Sequence, residues 1–392
     1  LRTLLSGFTV AFAIMLFTIL FGIANGFQNT FNNEFAGDAN NSIFIYSGRT
    51  SKAVEGYQTG RRIQFDNPLY SEIKKEFSDE IEFITGRVYK NVTASFGNEK
   101  SNYSVRAVNP DHQFIEKSEI KDGRFINPLD IKNNTKNIVI GNLVVEDLFG
   151  EIDPIGKYLD LNKIKFKIIG VFVERTEGSD SNEARVIYMP ISTAQKIYGN
   201  NDYIDQINLT YNPNLSEEEA IAFGNKIVDK IKDIFSIAEN DQSAVRARNR
   251  ARENQEITQF NGVLAILVLI IGMGTLVAGV VGISNIMIFI VKERTKEIGI
   301  RKALGAPPSS IKLIIVLESV FVTAISGYVG LLLGGAVLNS FDLEDYWITD
   351  PGVSTTLVIG ATFTLILAGL IAAYVPANRA ASIKPIVALR DE

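Results

Sequence analysis

The residues whose types and spacing point most clearly to chemistry form a charged run, KERTKEIGIRKALGA, at 292–306. The run follows directly on the apolar stretch 262–291. Glu297 and Arg301 stand four residues apart, in the order that favours an ion pair on a helix. Gly305, with two prolines behind it, is typical of a helix end. The pattern predicts a short, rigid helix in water beside a membrane-spanning segment.

Two interpretations of this short helix are open from the residues alone. Ile300, Ala303 and Leu304 form an apolar edge beside the charges, which favours docking onto another protein. The alternative is a solvated turn whose Lys and Arg residues only mark the cytoplasmic end of a span.

Elsewhere the sequence offers no catalytic constellation. It has no cysteine and one histidine, His112, which excludes thiolate metal sites, multi-histidine zinc sites and histidine-based triads within this sequence. We predict a surface position for His112. The stretch GEIDPIGKY, 150–158, resembles a phosphate-binding loop, but five residues separate its glycines where the motif has four, and Tyr158 replaces the metal-binding hydroxyl residue. Gly156 is predicted to form a turn before a strand. We therefore expect no catalytic residue, no metal and no cofactor.

The composition bounds the class of protein. The 392 residues carry a formal net charge of −5 and no basic stripe that could follow a nucleic-acid backbone, so no nucleic-acid partner is expected. The mean hydropathy of +0.12 is high for a chain with 21% charged residues. It averages long apolar runs with a polar, asparagine-rich middle. Asp180 and Glu183, in the polar loop 177–183, are predicted to be solvated.

Four apolar runs reach the length of about 20 residues that a membrane span requires. The first is predicted to be retained, because it is longer than the apolar part of a signal peptide and lacks a cleavage site. The second would be about 45 Å long at ~1.5 Å per residue, so it should tilt or project from the bilayer. The chain begins with Leu1, so we expect that its natural N-terminus is missing. The four runs are 4–23, 262–291, 311–338 and 354–375.

Lysine and arginine near the spans set the predicted orientation. The loop 339–353 has neither and carries Tyr346 and Trp347, which suit a membrane interface. Both termini and 292–312 are therefore placed in the cytoplasm, and 27–255 outside. Four arginines before the second span disagree, but long translocated loops have little weight in this rule. The cytoplasmic basic residues are Lys292, Arg294, Lys296, Arg301, Lys302, Lys312, Arg379, Lys384 and Arg390. The disagreeing four are Arg246, Arg248, Arg250 and Arg252.

Alternating and amphipathic patterns predict an α+β domain over 27–255. A β-α-β order recurs at about 40–110 and about 200–245, and a β-rich insert at about 111–199 lies between them. Ser216 and Glu219 form a capping box, which predicts the start of a helix. The predicted strands are 42–47, 81–89, 137–141, 157–162, 163–173, 185–190, 204–211 and 236–239, and the predicted helices are 67–77, 143–149, 191–198 and 216–235.

The predicted fold class is an α+β membrane protein with four transmembrane helices in a 1+3 arrangement and a large α+β domain between the first and second. The first helix occupies 1–26, and the last three belong to a domain at 256–392. A stalk helix is predicted to extend the second span outward through 246–261, because that stretch has no proline or glycine and its residues favour helix.

The predicted spans carry small residues at four-residue spacing, which permits close helix packing where lipid provides no hydrophobic drive. Glu318 is an exception in an otherwise uncharged interior, and we predict that it bonds to a neighbouring helix or to 292–302. The sequence lacks the broken helices and midplane polar site of a secondary transporter. The packing faces are Gly274, Ala278 and Gly282 in the second span and Ser326, Gly330 and Gly334 in the third.

Three parts of the sequence resemble a known family. Residues 284–334, with an ERTxEIGIRxAxGA core and the later Glu318, look like the FtsX-like permease domain of MacB-type ABC transporters. Residues 376–390 are similar to that family's closing P-A-x-x-A-A-x-x-x-P-x-x-A-L-R. The stretches 123–130 and 137–172 resemble the MacB-type periplasmic core. The resemblance covers nearly the whole chain.

The resemblance implies a 1+3 protein of the bacterial inner membrane whose periplasmic domain has a porter-like part and an inserted lobe. It implies a permease subunit, not an enzyme, that transmits ATP-driven motion from a cytoplasmic ABC ATPase for efflux of a periplasmic substrate. The implied partners are that ATPase, a second copy or a paralogous permease, a periplasmic adaptor with an outer-membrane channel, and membrane lipids. The coupling helix on the ATPase would consist of Glu293, Arg294, Thr295, Glu297, Ile298, Gly299, Ile300, Arg301, Ala303 and Gly305.

The sequence departs from full-length MacB in having no Walker motif, so we expect the ATPase on a separate subunit or in a part missing from the sequence. Three other functions stay open: a lipoprotein-releasing permease of the LolC/LolE kind, an FtsX-like regulator of a cell-wall hydrolase, and a membrane-anchored sensor. The size of 27–255 and its MacB-like core weigh against the regulator.

Overall fold

The secondary structure alternates long apolar helices with a strand-rich segment. The computed structural model describes residues 2–34, 39–173, 183–199, 201–341, 348, 351–352 and 355–384. The described α-helices are α1 (Arg2–Glu34), α2 (Asn67–Glu76), α3 (His112–Ile115), α4 (Pro128–Asn133), α5 (Asn142–Phe149), α6 (Ile191–Tyr198), α7 (Glu217–Ile234), α8 (Arg250–Glu293), α9 (Thr295–Ala303), α10 (Pro308–Ser340) and α11 (Thr355–Ser382). The described strands are β1 (Ser42–Ser47), β2 (Phe65–Asp66), β3 (Ile81–Phe96), β4 (Glu99–Val108), β5 (Glu119–Gly123), β6 (Asn137–Gly141), β7 (Tyr158–Leu161), β8 (Ile164–Val173), β9 (Val186–Pro190), β10 (Tyr203–Ile204), β11 (Gln206–Tyr211) and β12 (Val245–Asn249).

The chain divides into two compact units. We call Leu1–Asn32 together with Thr258–Glu392 the helical unit, and Asn33–Ile257 the sheet unit. The finer division of 27–255 into two β-α-β halves and an insert stays a prediction.

Among the described residues, four helices are long and apolar enough to cross a membrane. They are α1, α8, α10 and α11, with a mean hydropathy between 1.9 and 2.7 in their most apolar windows. One precedes the sheet unit in sequence and three follow most of it, so the predicted 1+3 layout around an α+β domain is confirmed.

Small residues allow the helices of the helical unit to approach closely. A Cβ atom added to Gly369 of α11 would lie 3.0 Å from Val320 Cα of α10. At the same crossing, the buried Ser319 hydroxyl donates a hydrogen bond of 3.1 Å to the Gly369 carbonyl oxygen. Such a contact satisfies a polar group that lipid could not satisfy.

The sheet unit is built on one mixed ten-stranded sheet, in the order β12-β1-β11-β3-β4-β9-β6-β8-β5, with β7 beside β3 and β8. The pairs β4–β9 and β6–β8 are parallel, and the other described pairs are antiparallel. Ile43 and Ile45 of β1 lie in the core with no exposed surface, and Phe44 between them is buried on the other face. The helix α7 begins at the predicted capping box of Ser216 and Glu219, and its apolar stripe is buried.

Most predicted elements of the sheet unit are present within a few residues of their predicted bounds, with two exceptions. β3 is longer than the predicted 81–89 and forms an unpredicted hairpin with β4 through Gly97, which has a φ of +61°. The strand predicted at 236–239 is wrong, because Ser236 adopts a φ of +48° and turns the chain. The strand that follows α7 is β12 instead.

The predicted stalk helix is wrong at its start. Residues Val245–Asn249 are the strand β12, which pairs with β1, and the helix begins only at Arg250. The stretch alternates buried Val245 and Asn249 with the more exposed Arg246. Backbone hydrogen bonds to β1 therefore outweigh the helix propensity of the arginines.

The basic run that disagreed with the predicted orientation has a structural partner. The Glu253 carboxylate forms an ion pair with the Arg248 guanidinium at 2.7 Å and another with the Arg250 guanidinium at 3.0 Å. The Arg250 side chain is only 2% exposed. Two of the four arginines are thus held by a carboxylate of their own unit.

The expected surface position of His112 is wrong, since this residue is fully buried. Its position at the start of α3, against the sheet, removes it from solvent. Gly156 does form the predicted turn, with a φ of +80° two residues before β7. Asp180 and the loop 177–182 lie outside the described residues, as does the side chain of Glu183.

Candidate functional site

The short helix α9 is bounded on both sides, as its sequence predicted. The Thr295 hydroxyl donates back to the carbonyl oxygens of Val291 at 3.1 Å and Lys292 at 2.8 Å, which links α9 to the end of α8. After α9, Gly305 has a φ of +97°, a conformation that favours glycine. Pro308 then begins α10.

One side of α9 is buried in the helical unit. Ile298 is 6% exposed and Gly299 is buried. Ile298 belongs to an apolar cluster that also includes Ile315 of α10 and Ala380 of α11. Burial of a large aliphatic side chain stabilises such a contact by about 1.5–3 kcal/mol. The cluster fixes α9 against the ends of two spans.

Glu318 bonds to a residue within 292–302, one of the two alternatives that the sequence predicted. The Arg294 guanidinium donates to Glu318 Oε2 at 3.2 Å, and the Glu318 side chain is 25% exposed. The ion pair joins the residue before α9 to α10.

A charged residue of α9, Lys302, reaches the end of α11. The Lys302 ammonium donates hydrogen bonds of 2.7 Å to the carbonyl oxygens of both Ala381 and Ile383. Lys302 was not among the predicted coupling residues. Its acceptors are backbone atoms, which no residue type in the sequence identifies.

The other side of α9 faces away from the described residues. Glu297 and Arg301 form the predicted ion pair at 2.6 Å, and about half of each side chain stays exposed. Ile300 is 48% exposed, Leu304 is 84% exposed, and Ala303 is also exposed. The exposed side of α9 therefore combines two opposite charges with an apolar edge.

The two predicted packing faces differ in their surroundings. In α10, a Cβ atom on Gly330 would collide with the Ala11 carbonyl oxygen of α1, and one on Gly334 would lie 2.7 Å from Thr18 Cβ. In α8, a Cβ atom on Gly274 would meet nothing within 4 Å. The remaining face residues lie as follows: Ser326 is buried, Ala278 is exposed, and Gly282 is half-buried with Thr9 3.7 Å from an added Cβ.

An apolar cavity of about 740 Å³ lies between α1, α8 and α11. Phe17 and Phe21 line it, and Asn25, Gln28 and Asn261 are its carboxamide residues. The described lining residues include no ionisable group.

The sheet unit contains a buried ionic network that sequence reasoning missed. Glu116 accepts from Arg87, from Arg106 at 3.2 Å and from Tyr188 at 3.2 Å, and its Oε2 lies 3.0 Å from His112 Nε2. Burial alone would raise the pKa of Glu116, but the charges around it, chiefly that of Arg87, hold the pKa well below its usual value. Burial lowers the pKa of His112 despite the attraction of Glu116.

The contacts of this network indicate a structural role. The carboxylate oxygens of Glu116 are occupied by neighbouring side chains, and a buried carboxylate with such partners stays ionised. Within the described part of the chain, no group of three or more His, Cys, Asp or Glu residues could hold a metal ion.

The fold defines a multi-pass membrane protein with a large α+β domain between its first and second membrane helices. The profile of the MacB-like periplasmic core domain matches residues 3–222, and that of the FtsX-like permease C-terminal domain matches residues 264–385. The chain belongs to the family of MacB-like permeases of ABC transporters.

Two relatives are macrolide export ATP-binding/permease proteins named MacB. The protein of Bdellovibrio bacteriovorus is 28% identical over 354 residues, which cover 90% of this chain and 54% of the relative. The protein of Chlorobaculum tepidum is 30% identical over 290 residues, which cover 74% of this chain and 44% of the relative. This chain thus spans about half the length of the relatives it matches.

Two solved structures are similar to parts of the chain. The periplasmic region of MacB from Actinobacillus actinomycetemcomitans matches with 17% identity and a TM-score of 0.47, covering 59% of this chain and 98% of that one. The extracellular domain of the noncanonic ABC-type transporter YknZ from Gram-positive bacteria matches with 17% identity and a TM-score of 0.44, covering 53% of this chain and all of that one.

Proposed function

We propose that this chain is the membrane subunit of an ABC transporter and transmits ATP-driven conformational change from a cytoplasmic ATPase to its extracytoplasmic unit. In this function α9 is the coupling helix, and ATP is hydrolysed by the ATPase. The transported substrate is taken up on the periplasmic side and extruded from there.

The observation that carries this proposal is the two-sided character of α9. Its inner side is fixed by Ile298, while its outer side exposes Arg301 and Leu304. An apolar residue that is 84% exposed beside paired charges resembles the centre and rim of a protein interface. A solvated turn would not require its other side to be anchored to two spans.

The distribution of charges supports a proposed orientation. Basic residues are concentrated in 292–312 and near the C-terminus, and cytoplasmic loops carry such an excess. We therefore place α9 and both termini in the cytoplasm, the four helices in the inner membrane, and the sheet unit in the periplasm.

Family membership supports a proposal for the remaining partners. ABC permeases act in pairs, so we propose a homodimer or a dimer with a paralogous permease. The relatives' names mention macrolide export, and we propose extrusion of a periplasmic substrate, with a periplasmic adaptor and an outer-membrane channel as further partners.

The proposal is tested by docking of the ATPase. A tagged chain is purified from its native membrane in detergent, and its ABC ATPase is identified by mass spectrometry. Variants Arg301→Glu and Leu304→Asp should remain inserted but lose most of the bound ATPase, because both alter the exposed side of α9. Glu293→Lys should behave in the same way.

A matched control is Lys312→Glu, which reverses a charge on an exposed residue of α10 close in sequence. It should retain wild-type binding. If Arg301→Glu and Leu304→Asp also bind and stimulate the ATPase like the unaltered chain, the exposed side of α9 is only a solvated surface and the proposal is wrong.

A further inference from the structure

We infer that Lys302 is a positioning residue that joins α9 to the C-terminus of α11, so that a displacement of α9 is passed to the last span. This inference rests on the proposed function of α9. It assigns the route by which motion enters the helical unit.

The geometry begins at the end of α11, which is Ser382. The last four carbonyl groups of a helix have no partner within it. Lys302 donates to the carbonyl oxygens of Ala381 and Ile383, both at 2.7 Å. An ammonium group has three donors and no acceptor, and a cation is favoured at the negative end of a helix. Lys302 therefore satisfies one of the last carbonyl groups of α11, that of Ala381, and the carbonyl group of the residue that follows the helix, Ile383.

The contact differs from ordinary surface capping because the lysine comes from another element. Lys302 and its acceptors are 79 and 81 residues apart in the sequence. The Lys302 side chain is directed to α11 and only partly exposed, whereas Arg301 beside it is exposed. Arg301 is thus available to a partner, whereas Lys302 binds α11.

Arg294 provides a second attachment at the other end of α9. It pairs with Glu318 of α10 at 3.2 Å. Ile298 lies between the two attachments in sequence and is buried with residues of both spans. A rigid helix of nine residues that is attached at both ends cannot move without moving α10 and α11 or breaking a contact.

A proline separates the last segment of α11 from the rest of that helix. Pro376 lies inside α11 and has no N–H group to donate to the carbonyl oxygen four residues before it. The segment after Pro376 contains Ala377 and Ala380, which are buried in the same cluster as Ile298. We expect α9 and this last segment of α11 to move together and the backbone to bend at Pro376.

The test uses Lys302→Met, which keeps an unbranched side chain but removes all three donors, and Lys302→Arg, which keeps the charge and donors. Both are purified as the full chain with the ABC ATPase. Lys302→Met should bind the ATPase with unchanged affinity but lower its stimulation by about tenfold, within the range typical of allosteric coupling. Lys302→Arg should stimulate the ATPase nearly as well as the unaltered chain.

A structural readout separates coupling from general stability. The chain has no cysteine, so Lys296→Cys and Arg379→Cys can carry spin labels without further changes. Both positions are exposed, and labelled chains must still bind the ATPase. With Lys302 present, the distance between labels should stay narrow before and after trapping with ATP and vanadate. With Lys302→Met it should broaden.

The possible failures are distinguishable. If Lys302→Met retains full stimulation and a narrow distance distribution, the inference is wrong although the proposed function stands. If the unaltered chain neither binds nor stimulates an ABC ATPase, the proposed function is wrong and this route of transmission is overturned with it. If Lys302→Arg lowers the stimulation of the ATPase as much as Lys302→Met does, the hydrogen-bond donors are not the cause of the effect and the inference is wrong.

Discussion

Arg294, which precedes α9, lies 3.2 Å from Glu318 in α10, and the pair links residues 24 positions apart. The Arg294 side chain is 50% exposed and the Glu318 side chain is 25% exposed. Solvent therefore screens the attraction, and the pair is expected to add about 1 kcal/mol or less to the free energy of unfolding. On the proposed function, the pair lies at the junction of α9 and α10, where motion of α9 would pass to α10.

The first prediction concerns this pair. Arg294→Glu and Glu318→Arg should each lower the stimulation of the ATPase, because each places like charges at the junction. The double variant Arg294→Glu/Glu318→Arg should recover most of the activity. The measurement is ATP turnover in a double-mutant cycle, with thermal unfolding in parallel. Lack of recovery in the double variant would show that the two residues act separately.

The second prediction compares two glycines in membrane helices. Gly330→Val should destabilise the protein by about 1–3 kcal/mol, because the new side chain collides with the Ala11 carbonyl oxygen of α1. Gly274→Val should leave the free energy of unfolding nearly unchanged, since a Cβ atom there meets nothing within 4 Å. The same substitution in both helices equalises the change in helix propensity.

Thermal unfolding of both variants in detergent provides the comparison. The difference between the two melting temperatures gives the effect of the collision at Gly330, because the change in helix propensity is the same in both variants. Equal losses at Gly330 and Gly274 would contradict the assignment of the α10 face to α1.

The sequence predicts elements best where the determinants are local. The capping box of Ser216 and Glu219 marks the start of α7, and the β-branched and aromatic residues of β1 favour a strand. Gly305 marks the end of α9 because the left-handed conformation favours glycine. The four spans follow from length and hydropathy alone.

Features that depend on partners distant in sequence were predicted poorly. β12 is a strand because β1 lies beside it, although its arginines favour helix. His112 is buried because α3 packs on the sheet with Glu116 as a partner. Lys302 was missed because its acceptors are backbone carbonyl oxygens. Glu318 was predicted to bond to a neighbouring helix or to 292–302, since a carboxylate near a membrane interface needs a partner, and Arg294 is that partner.

The third prediction concerns the buried network of the sheet unit. Glu116→Gln keeps the shape of the side chain but removes its charge, which leaves Arg87 buried without its carboxylate. Breaking a buried ion pair in this way typically costs about 3–5 kcal/mol. Urea unfolding of the full chain in detergent, followed by pulse proteolysis, should show this loss. Glu151→Gln, at an exposed position, is the control and should show little change.

The network also determines a pH dependence. His112 faces Arg87 of β3, Arg106 of β4 and Tyr188 of β9, as well as Glu116 after α3. Burial lowers its pKa from 6.5, and the two arginines oppose protonation further. Above pH 6.5 the histidine is neutral in both the folded and the unfolded chain. As the pH falls below 6.5, the unfolded chain binds the proton first, and the folded state loses stability.

The last prediction follows from this loss of stability below pH 6.5. Between pH 7.5 and pH 5.5 the free energy of unfolding of the sheet unit should fall by up to about 1.4 kcal/mol through His112, since one pH unit below 6.5 corresponds to that amount. Glu116 adds a further loss only below its ordinary pKa of 4.5, because its pKa is lowered in the folded state. His112→Gln removes the titrating group at similar size, so its stability should change less over the same range. The measurement is urea unfolding of both full-length proteins at the two pH values. An equal change in both would show that His112 does not titrate on unfolding, and that the acid sensitivity has another source.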